Sequence, residues 1–302
     1  MEKTDVAIIQ MAPIFLNKEE TISKLITFID KTEGASIVTW GESLIPGYPQ
    51  WLAMTGGAKF NDPDQKRAYS TYWKNSIDLN SDDLNPLLEA AKRNSAYLVG
   101  GITERSGGSL YCTLITIGPD GTLLGRHRKV KPTYEERLVW ADGDSIGLRT
   151  YDTPFGKIGA LNCWENWLPM ARASLHAQGE FVHVSVWPGS LSLTENISKF
   201  TAIEGRMYVI ASSAILRGSD FEHLDKDAFP MKEEMLQHDV IKDGGSMIVD
   251  PKGNIVAGPL LNEEGIIRGT LNLDTILEER QNFDYSGNYS RWDIFSYPLR
   301  KA

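Results

Sequence analysis

The sequence predicts an α/β protein in which helices pack outside two sheets. Three observations carry this reading. Strand and helix signals alternate in both halves of the chain, and each half also holds an antiparallel hairpin. No Pro/Ser-rich linker, low-complexity stretch or short repeat divides the 302 residues. Chains of this type and length are often one unit, so one domain over 1–302 is the simplest organisation.

The elements follow in order. Val6 to Gln10 reads as a buried strand, and residues 18–31 place Ile22, Leu25, Ile26 and Ile29 on one helical face. Ser36 to Trp40 is a second strand, ending directly before Glu42. A helix from about Pro86 to Arg93, with proline at its start, leads to the strand Ala96 to Gly100. Leu110 to Ile117, the turn Pro119-Asp120-Gly121-Thr122, and Leu123 to Lys129 form a hairpin. Lys157 to Leu161 is a strand that runs into Cys163, ahead of a helix over 169–178. Strands near 181–186 and 208–214 flank a helix over about 194–206. Ser246 to Asp250 and Ile255 to Ala257 make a second hairpin around Pro251-Lys252-Gly253-Asn254.

Composition excludes several functions. With 41% hydrophobic and 24% charged residues, this is an ordinary globular chain. A net charge of -9 and a pI near 5.2 argue against general affinity for nucleic acid or an anionic membrane. No stretch approaches the roughly 18 apolar residues of a spanning helix. The start, Met1-Glu2-Lys3-Thr4-Asp5, has no apolar signal-peptide core. The two cysteines, Cys112 and Cys163, are too few for a disulfide framework and fit a reducing compartment, so a cytoplasmic location is expected.

Three places stand out as chemistry. Cys163, in Leu161-Asn162-Cys163-Trp164-Glu165-Asn166-Trp167, stands at a strand-to-helix corner, where a nucleophile can project amid backbone N–H groups. Most free cysteines are instead small buried residues. Glu42, in Trp40-Gly41-Glu42-Ser43-Leu44-Ile45-Pro46-Gly47-Tyr48-Pro49, follows a strand, where ligands of α/β sheets bind. Partial burial there would raise its pKa and make it a proton acceptor; an exposed turn-capping glutamate is the competing reading. In Arg126-His127-Arg128-Lys129-Val130-Lys131-Pro132-Thr133-Tyr134-Glu135-Glu136-Arg137 most charges face water, but strand alternation turns one or two inward. An inward lysine could stabilise developing negative charge, with Glu136 fixing it. The five histidines, at 127, 176, 183, 223 and 238, show no metal-ligand spacing and read as surface or satisfied core residues. Neither a metal nor a cofactor is expected.

Together these residues resemble the nitrilase superfamily of carbon–nitrogen hydrolases, and within it the nitrilase branch. The resemblance spans the first strand to nearly the C-terminus. It implies a four-layer α-β-β-α sandwich and a Glu-Lys-Cys triad in chain order. Glu42 matches in its Glu-x-x-x-x-Gly-Tyr-Pro context, Lys129 in His-Arg-Lys-x-Lys-Pro-Thr, and Cys163 in Cys-Trp-Glu-Asn; Glu136 matches a second glutamate before an arginine. Val184 to Gly189 resembles a strand and turn lining the family's pocket, and Ile203-Glu204-Gly205-Arg206 a helix end near it. Two positions depart from the pattern: Cys112 stands where asparagine is frequent, and Asn288 replaces histidine in Gly287-Asn288-Tyr289-Ser290-Arg291-Trp292-Asp293. The place of Cys112 inside a hairpin strand favours a packing role.

The resemblance implies hydrolysis of a small-molecule nitrile to acid and ammonia through a covalent thioimidate. An amidase or carbamoylase with the same triad is the nearest alternative, and a non-catalytic assembly protein of this fold a remote one. Trp164, Trp187 and Tyr48 are candidate substrate-binding residues. Trp51 and Trp167 would join them if they face the pocket, where aromatic walls suit apolar groups. The resemblance also implies a homodimer or higher homo-oligomer, with Trp51, Tyr69, Tyr72 and Trp73 as candidates for such contacts, for the pocket mouth, or for scattered surface aromatics.

Overall fold

The computed structural model describes residues 3–291, 293 and 294; residues 1–2 and Trp292 of the carboxy-terminal pattern lie outside them. The first half supplies β1 (Lys3–Gln10), α1 (Lys18–Asp30), β2 (Ile37–Ile45), α2 (Trp51–Met54), α3 (Pro63–Lys74), α4 (Asn85–Asn94), β3 (Tyr97–Ser106), β4 (Ser109–Ile117) and β5 (Leu123–Arg128). The second supplies β6 (Lys157–Asn162), α5 (Pro169–His176), β7 (Glu180–Trp187), α6 (Leu191–Gly205), β8 (Tyr208–Ser213), β9 (Ile215–Leu216), α7 (Lys232–Leu236), β10 (Lys242–Val249), β11 (Ile255–Leu261), β12 (Gly265–Asn272) and α8 (Leu273–Arg280).

Two mixed sheets result. One runs β12-β1-β2-β3-β4-β5, the other β11-β10-β8-β7-β6, with β9 pairing β10. Each has a parallel centre, β1-β2-β3 and β6-β7-β8. Strands covered on both faces read as near-continuous apolar runs, which explains why Val6 to Ile9 shows no alternation. The sheets stack face to face. Val6, Ile8, Val99 and Leu114 from one meet Ile158, Val184, Ile210 and Ile248 from the other in a common core. Each such side chain contributes about 1.5–3 kcal/mol on burial. Ile22, Leu25 and Ile29 of α1 and Leu87, Ala90 and Ala91 of α4 cover the outer face of the first sheet. Ile197 and Ala202 of α6, with Ala171 and Leu175 of α5, cover the second. This is the four-layer α-β-β-α sandwich expected.

Several elements differ from expectation. β2 does not stop before Glu42 but continues to Ile45 through an irregularity. α6 begins three residues earlier than the pattern suggested. α3, α8 and β12 were not anticipated. α3 carries a legible start, since the Asp62 carboxylate caps the N–H groups of Asp64 and Gln65 and Pro63 is its first residue. Trp51 and Tyr72 are not surface aromatics: both are buried, with Phe15, Phe221 and Phe229, in a separate cluster. Among the described residues no helix is long and apolar enough to cross a membrane.

Candidate active site

Glu42 is placed by a bulge in β2. The ladder pairs Trp40 with Gly100 and Ile45 with Ile102, so four residues of β2 face the single Gly101 of β3. The extra chain is accommodated because Gly101 has no side chain: a Cβ there would lie 2.5 Å from Glu42 Cα and Ser43 N. Gly41 likewise lets the bulge touch the second sheet, where a Cβ would meet Ala214 N at 2.5 Å and the Trp187 carbonyl oxygen at 2.8 Å. Ser43 takes a positive φ of 49°, and its hydroxyl bonds Thr103 Oγ1 at 2.7 Å and the Gly47 carbonyl at 3.2 Å, tying the turn down.

Lys129 follows β5, and its N–H donates to the Cys112 carbonyl at 2.8 Å, continuing the β4–β5 ladder by one rung. Alternation along this strand buries His127 and Lys129 and leaves Arg126 and Arg128 partly exposed, the latter two on Glu104. Glu136 lies in the short helical turn Tyr134–Leu138, where its carboxylate caps the Thr133 N–H at 2.6 Å. Cys163 opens the turn Cys163–Trp167 at the end of β6 with φ 43°. A non-glycine residue held left-handed at a strand-to-helix corner is the strained geometry of a nucleophile elbow. The Trp164 N–H hydrogen-bonds toward its sulfur.

The four groups converge. Lys129 Nζ donates to Glu42 Oε1 at 3.0 Å and to Glu136 Oε2 at 2.7 Å. Tyr48 OH donates to Glu136 Oε1 at 2.8 Å. A carboxylate oxygen of each glutamate and the Cys163 sulfur lie within 4.8 Å of one another. Such a Glu-Glu-Cys set has donor types that could ligate a metal, but the Lys129 ammonium already bonds both carboxylates from among them. Glu42 Oε2, by contrast, is buried with no hydrogen-bond partner among the described residues.

Burial dominates the electrostatics. It pushes the Glu42 carboxyl up to about 7, an effect that the Lys129 charge moderates and Glu136 reinforces. The Cys163 thiol is driven well above its ordinary range by burial and then by Glu42, so it rests protonated. Burial would lower the pKa of Lys129, but the neighbouring acidic groups of Cys163, Glu42 and Glu136 outweigh it, so the ammonium stays charged.

A second layer holds these groups. Glu165, three residues beyond Asn162, accepts from the Val130 N–H at 2.8 Å, the Asn162 N–H at 3.1 Å and His127 Nε2 at 2.7 Å. It thereby clamps the segment carrying Lys129 to the one carrying Cys163. Asn166 Nδ2 donates to the Cys163 carbonyl at 2.8 Å, and its Oδ1 meets His183 Nε2 at 2.7 Å, with Glu180 on the other ring nitrogen. The buried His176 and His183 are thus satisfied core residues, as expected; His127 bonds Glu165 through Nε2 and leaves Nδ1 buried without a partner among the described residues, while His223 and His238 are exposed.

A cavity of about 210 Å³ opens onto this cluster, lined by Tyr48, Glu136, Cys163, Trp164, Trp187 and Lys242 among others. All three candidate substrate-binding residues line it. Trp51 and Trp167 do not: Trp51 borders a different hollow with Phe60 and Tyr69, and Trp167 stacks on the outer side of Trp164 at 6.0 Å between centroids. Sequence reasoning missed Glu165, Lys242 and the position of Cys112, whose sulfur lies 3.3 Å from Glu42 Oε1 rather than in simple packing. For Glu165 a signal existed, since Asn-x-x-Glu is a capping-box spacing. For Lys242 there was none.

Comparison with known proteins agrees with this geometry. The carbon-nitrogen hydrolase family model matches residues 5–281. The chain is 34% identical over 303 residues to an aliphatic nitrilase of Sinorhizobium fredii (strain HH103), covering 98% of this chain and 95% of that one. It is 34% identical over 304 residues to Nitrilase 3 of Arabidopsis thaliana, covering 98% and 86%. In fold it is similar to a carbon-nitrogen hydrolase of Helicobacter pylori G27, with a TM-score of 0.74, 18% identity and 99% of each chain covered. With a clustered Glu-Glu-Lys-Cys site of the hydrolytic type and kinship along almost its whole length, the chain belongs to the carbon–nitrogen hydrolases of the nitrilase superfamily.

Proposed function

We propose that this hydrolase converts an organic nitrile to its carboxylic acid and ammonia, with Glu42, Lys129 and Cys163 as catalytic triad and Glu136 as the partner of Lys129. One observation carries the reading most directly. Glu42 has a buried, unpartnered oxygen, Oε2, its Oε1 is bonded to an ammonium, and one of its carboxylate oxygens lies within 4.8 Å of the protonated Cys163 thiol. A carboxyl group at about 7 is matched to accepting a proton near neutral pH. The kinship with chains named as nitrilases supports the nitrile as substrate.

The steps balance as follows. Glu42 takes the thiol proton as Cys163 Sγ adds to the nitrile carbon, then passes that proton to the nitrogen, giving a neutral thioimidate and an ionised Glu42. Lys129 lies beside the developing negative charge, and the Trp164 N–H adds a fixed dipole. Water, deprotonated by Glu42, adds to the thioimidate carbon; the C–N bond breaks and ammonia leaves, forming a thioester. A second water cleaves the C–S bond, releasing the acid and restoring the thiol. Glu136 keeps Lys129 placed throughout. Tyr48, Trp164 and Trp187 shape the walls that hold the substrate.

The test is to incubate the protein with aryl, arylaliphatic and aliphatic nitriles and their amides, measuring ammonia, acid and amide, with Cys163→Ala alongside. Ammonia and acid from a nitrile, absent in the variant, support the reading. Turnover of amides alone would move the substrate to amides, and no Cys163-dependent ammonia from either class would sink the proposal.

A further inference from the structure

Lys242 is a second lysine in the same cavity, and nothing above assigns it a task. It opens β10, paired in register with Leu216 of β9, and its side chain reaches the cavity lining. Its Nζ lies 5.2 Å from the centroid of the Tyr48 ring. Among the described residues it makes no ion pair within 4 Å and no hydrogen bond, although it is largely shielded from solvent. The acidic groups nearby have other partners, although Glu42 keeps Oε2 free among the described residues. Glu42 and Glu136 both accept from Lys129, and Asp243 Oδ1 accepts from the Leu191 N–H at 3.2 Å. Glu135, at the cavity rim, is exposed.

A cation kept in such a place without a counter-ion is costly, and an anionic group bound beside it offsets that cost. Burial depresses its pKa, and the neighbouring negative groups only partly offset that. The molecule as a whole carries -9, so nothing in its overall field draws anions here. The preference has to be local, and Lys242 is a cation of this cavity with donors to spare. Part of the lining, Trp187, Pro188, Trp164 and Leu193, is apolar and would accept a short hydrocarbon segment.

We infer that Lys242 selects substrates bearing a carboxylate: the cavity takes a small cyano acid, with its nitrile carbon at Cys163 and its carboxylate on the Lys242 ammonium. The inference rests on the nitrile reading for the reacting end, and concerns the other end of the same molecule. It makes the product a dicarboxylate.

The experiment compares 3-cyanopropanoate and 4-cyanobutanoate with their methyl esters. Two readouts are used: kcat/KM for ammonia release, and Kd by calorimetry on the Cys163→Ala protein, which needs no turnover. The acids are expected to be favoured over the esters by at least about tenfold on both, because pairing a shielded charge is worth far more than an exposed one. Lys242→Met should erase that ratio and Lys242→Arg should retain most of it. Equal constants for acid and ester in the unsubstituted enzyme, or an unchanged ratio in Lys242→Met, would overturn the inference; the first of these needs no variant to fold. Tight, Lys242-dependent binding of the acid without hydrolysis of any nitrile would sink the nitrilase reading and leave the carboxylate role of Lys242 standing.

Discussion

The Cys112 thiol donates to Glu42 Oε1 across 3.3 Å, on the same oxygen that accepts from Lys129. Burial and the nearby Glu42 raise the Cys112 pKa far enough to keep it protonated, so it acts here as a weak donor. Glu42 is therefore tuned by three neighbours: burial and Glu136 raise its pKa, Lys129 and, more weakly, Cys112 lower it. Removing the thiol in Cys112→Ala should raise the carboxyl further. A bond of about 0.7 kcal/mol corresponds to roughly half a pKa unit. As general base Glu42 must be ionised, so kcat/KM should rise with pH through about 7 in the unsubstituted protein. In Cys112→Ala that limb should move to higher pH. A pH–rate profile of each protein checks this, and coincident limbs would remove Cys112 from the tuning.

Glu165 joins the two segments that must meet for catalysis. With both oxygens buried and three donors upon them, it is held ionised despite its burial, chiefly by His127. Glu165→Ala would leave His127 and two backbone N–H groups unpaired, a loss of about 3 kcal/mol in stability. It would also free Lys129 to drift from Cys163, and a 1 Å displacement costs on the order of 100-fold in rate. Urea unfolding and kcat report the two effects. Glu165→Gln, able to keep part of the hydrogen bonding, should fall between.

The carboxylate of Glu204 ties α6 to α5 through Arg172 Nε at 2.7 Å and His176 Nε2 at 3.4 Å. Burial alone would raise its pKa, but these partners bring it from 4.5 down to about 2. Its contribution to stability is thus complete above pH 4.5 and lost as pH falls through about 2. His176 behaves in the opposite sense. Burial would lower its pKa, yet Glu180 and Glu204 raise it above 6.5, so its share is complete below pH 6.5 and lost as pH rises through the raised value. The Tm difference between the unsubstituted protein and Glu204→Gln should therefore be largest between pH 4.5 and 6.5 and shrink on both sides. Water reaches part of this carboxylate, so about 1 kcal/mol, or roughly 2–3 °C, is expected at the maximum. A difference that does not vary with pH would contradict the assignment.

These predictions concern residues that differ in how far the sequence announced them. Glu42, Lys129, Glu136 and Cys163 sit in local contexts of strand, turn and corner that the chain spells out within ten residues. The strands of the two hairpins were legible for the same reason, since alternation and turn residues are local signals. β12 was not: it is a half-exposed edge strand whose pairing among the described residues, with β1, closes across nearly the whole chain. Lys242 and Cys112 escaped on like grounds. Each lies in an ordinary strand: the stacking of two sheets brings Lys242 to the cavity, and Cys112 reaches Glu42 within the first sheet, across β3. Neither Tyr72 in the polar α3 nor Trp51 in the four-residue α2 carries a local mark of the cluster that covers both.

Gly101 tests the bulge itself. The displacement of β2 that presents Glu42 requires its chain to cross Gly101 at a distance no Cβ permits, 2.5 Å to Glu42 Cα and 2.5 Å to Ser43 N. Both contacts are backbone, so no side-chain rotation relieves them. Gly101→Ala must push Glu42 outward or part β2 from β3. Overpacking of this kind costs about 1–3 kcal/mol. The kinetic effect should be greater than that loss of stability would suggest, because the displaced group is the proton acceptor. A fall of about 100-fold in kcat is expected, in protein that remains folded by circular dichroism. Retained activity would mean that β2 tolerates the shift, and that the bulge does not set the position of Glu42.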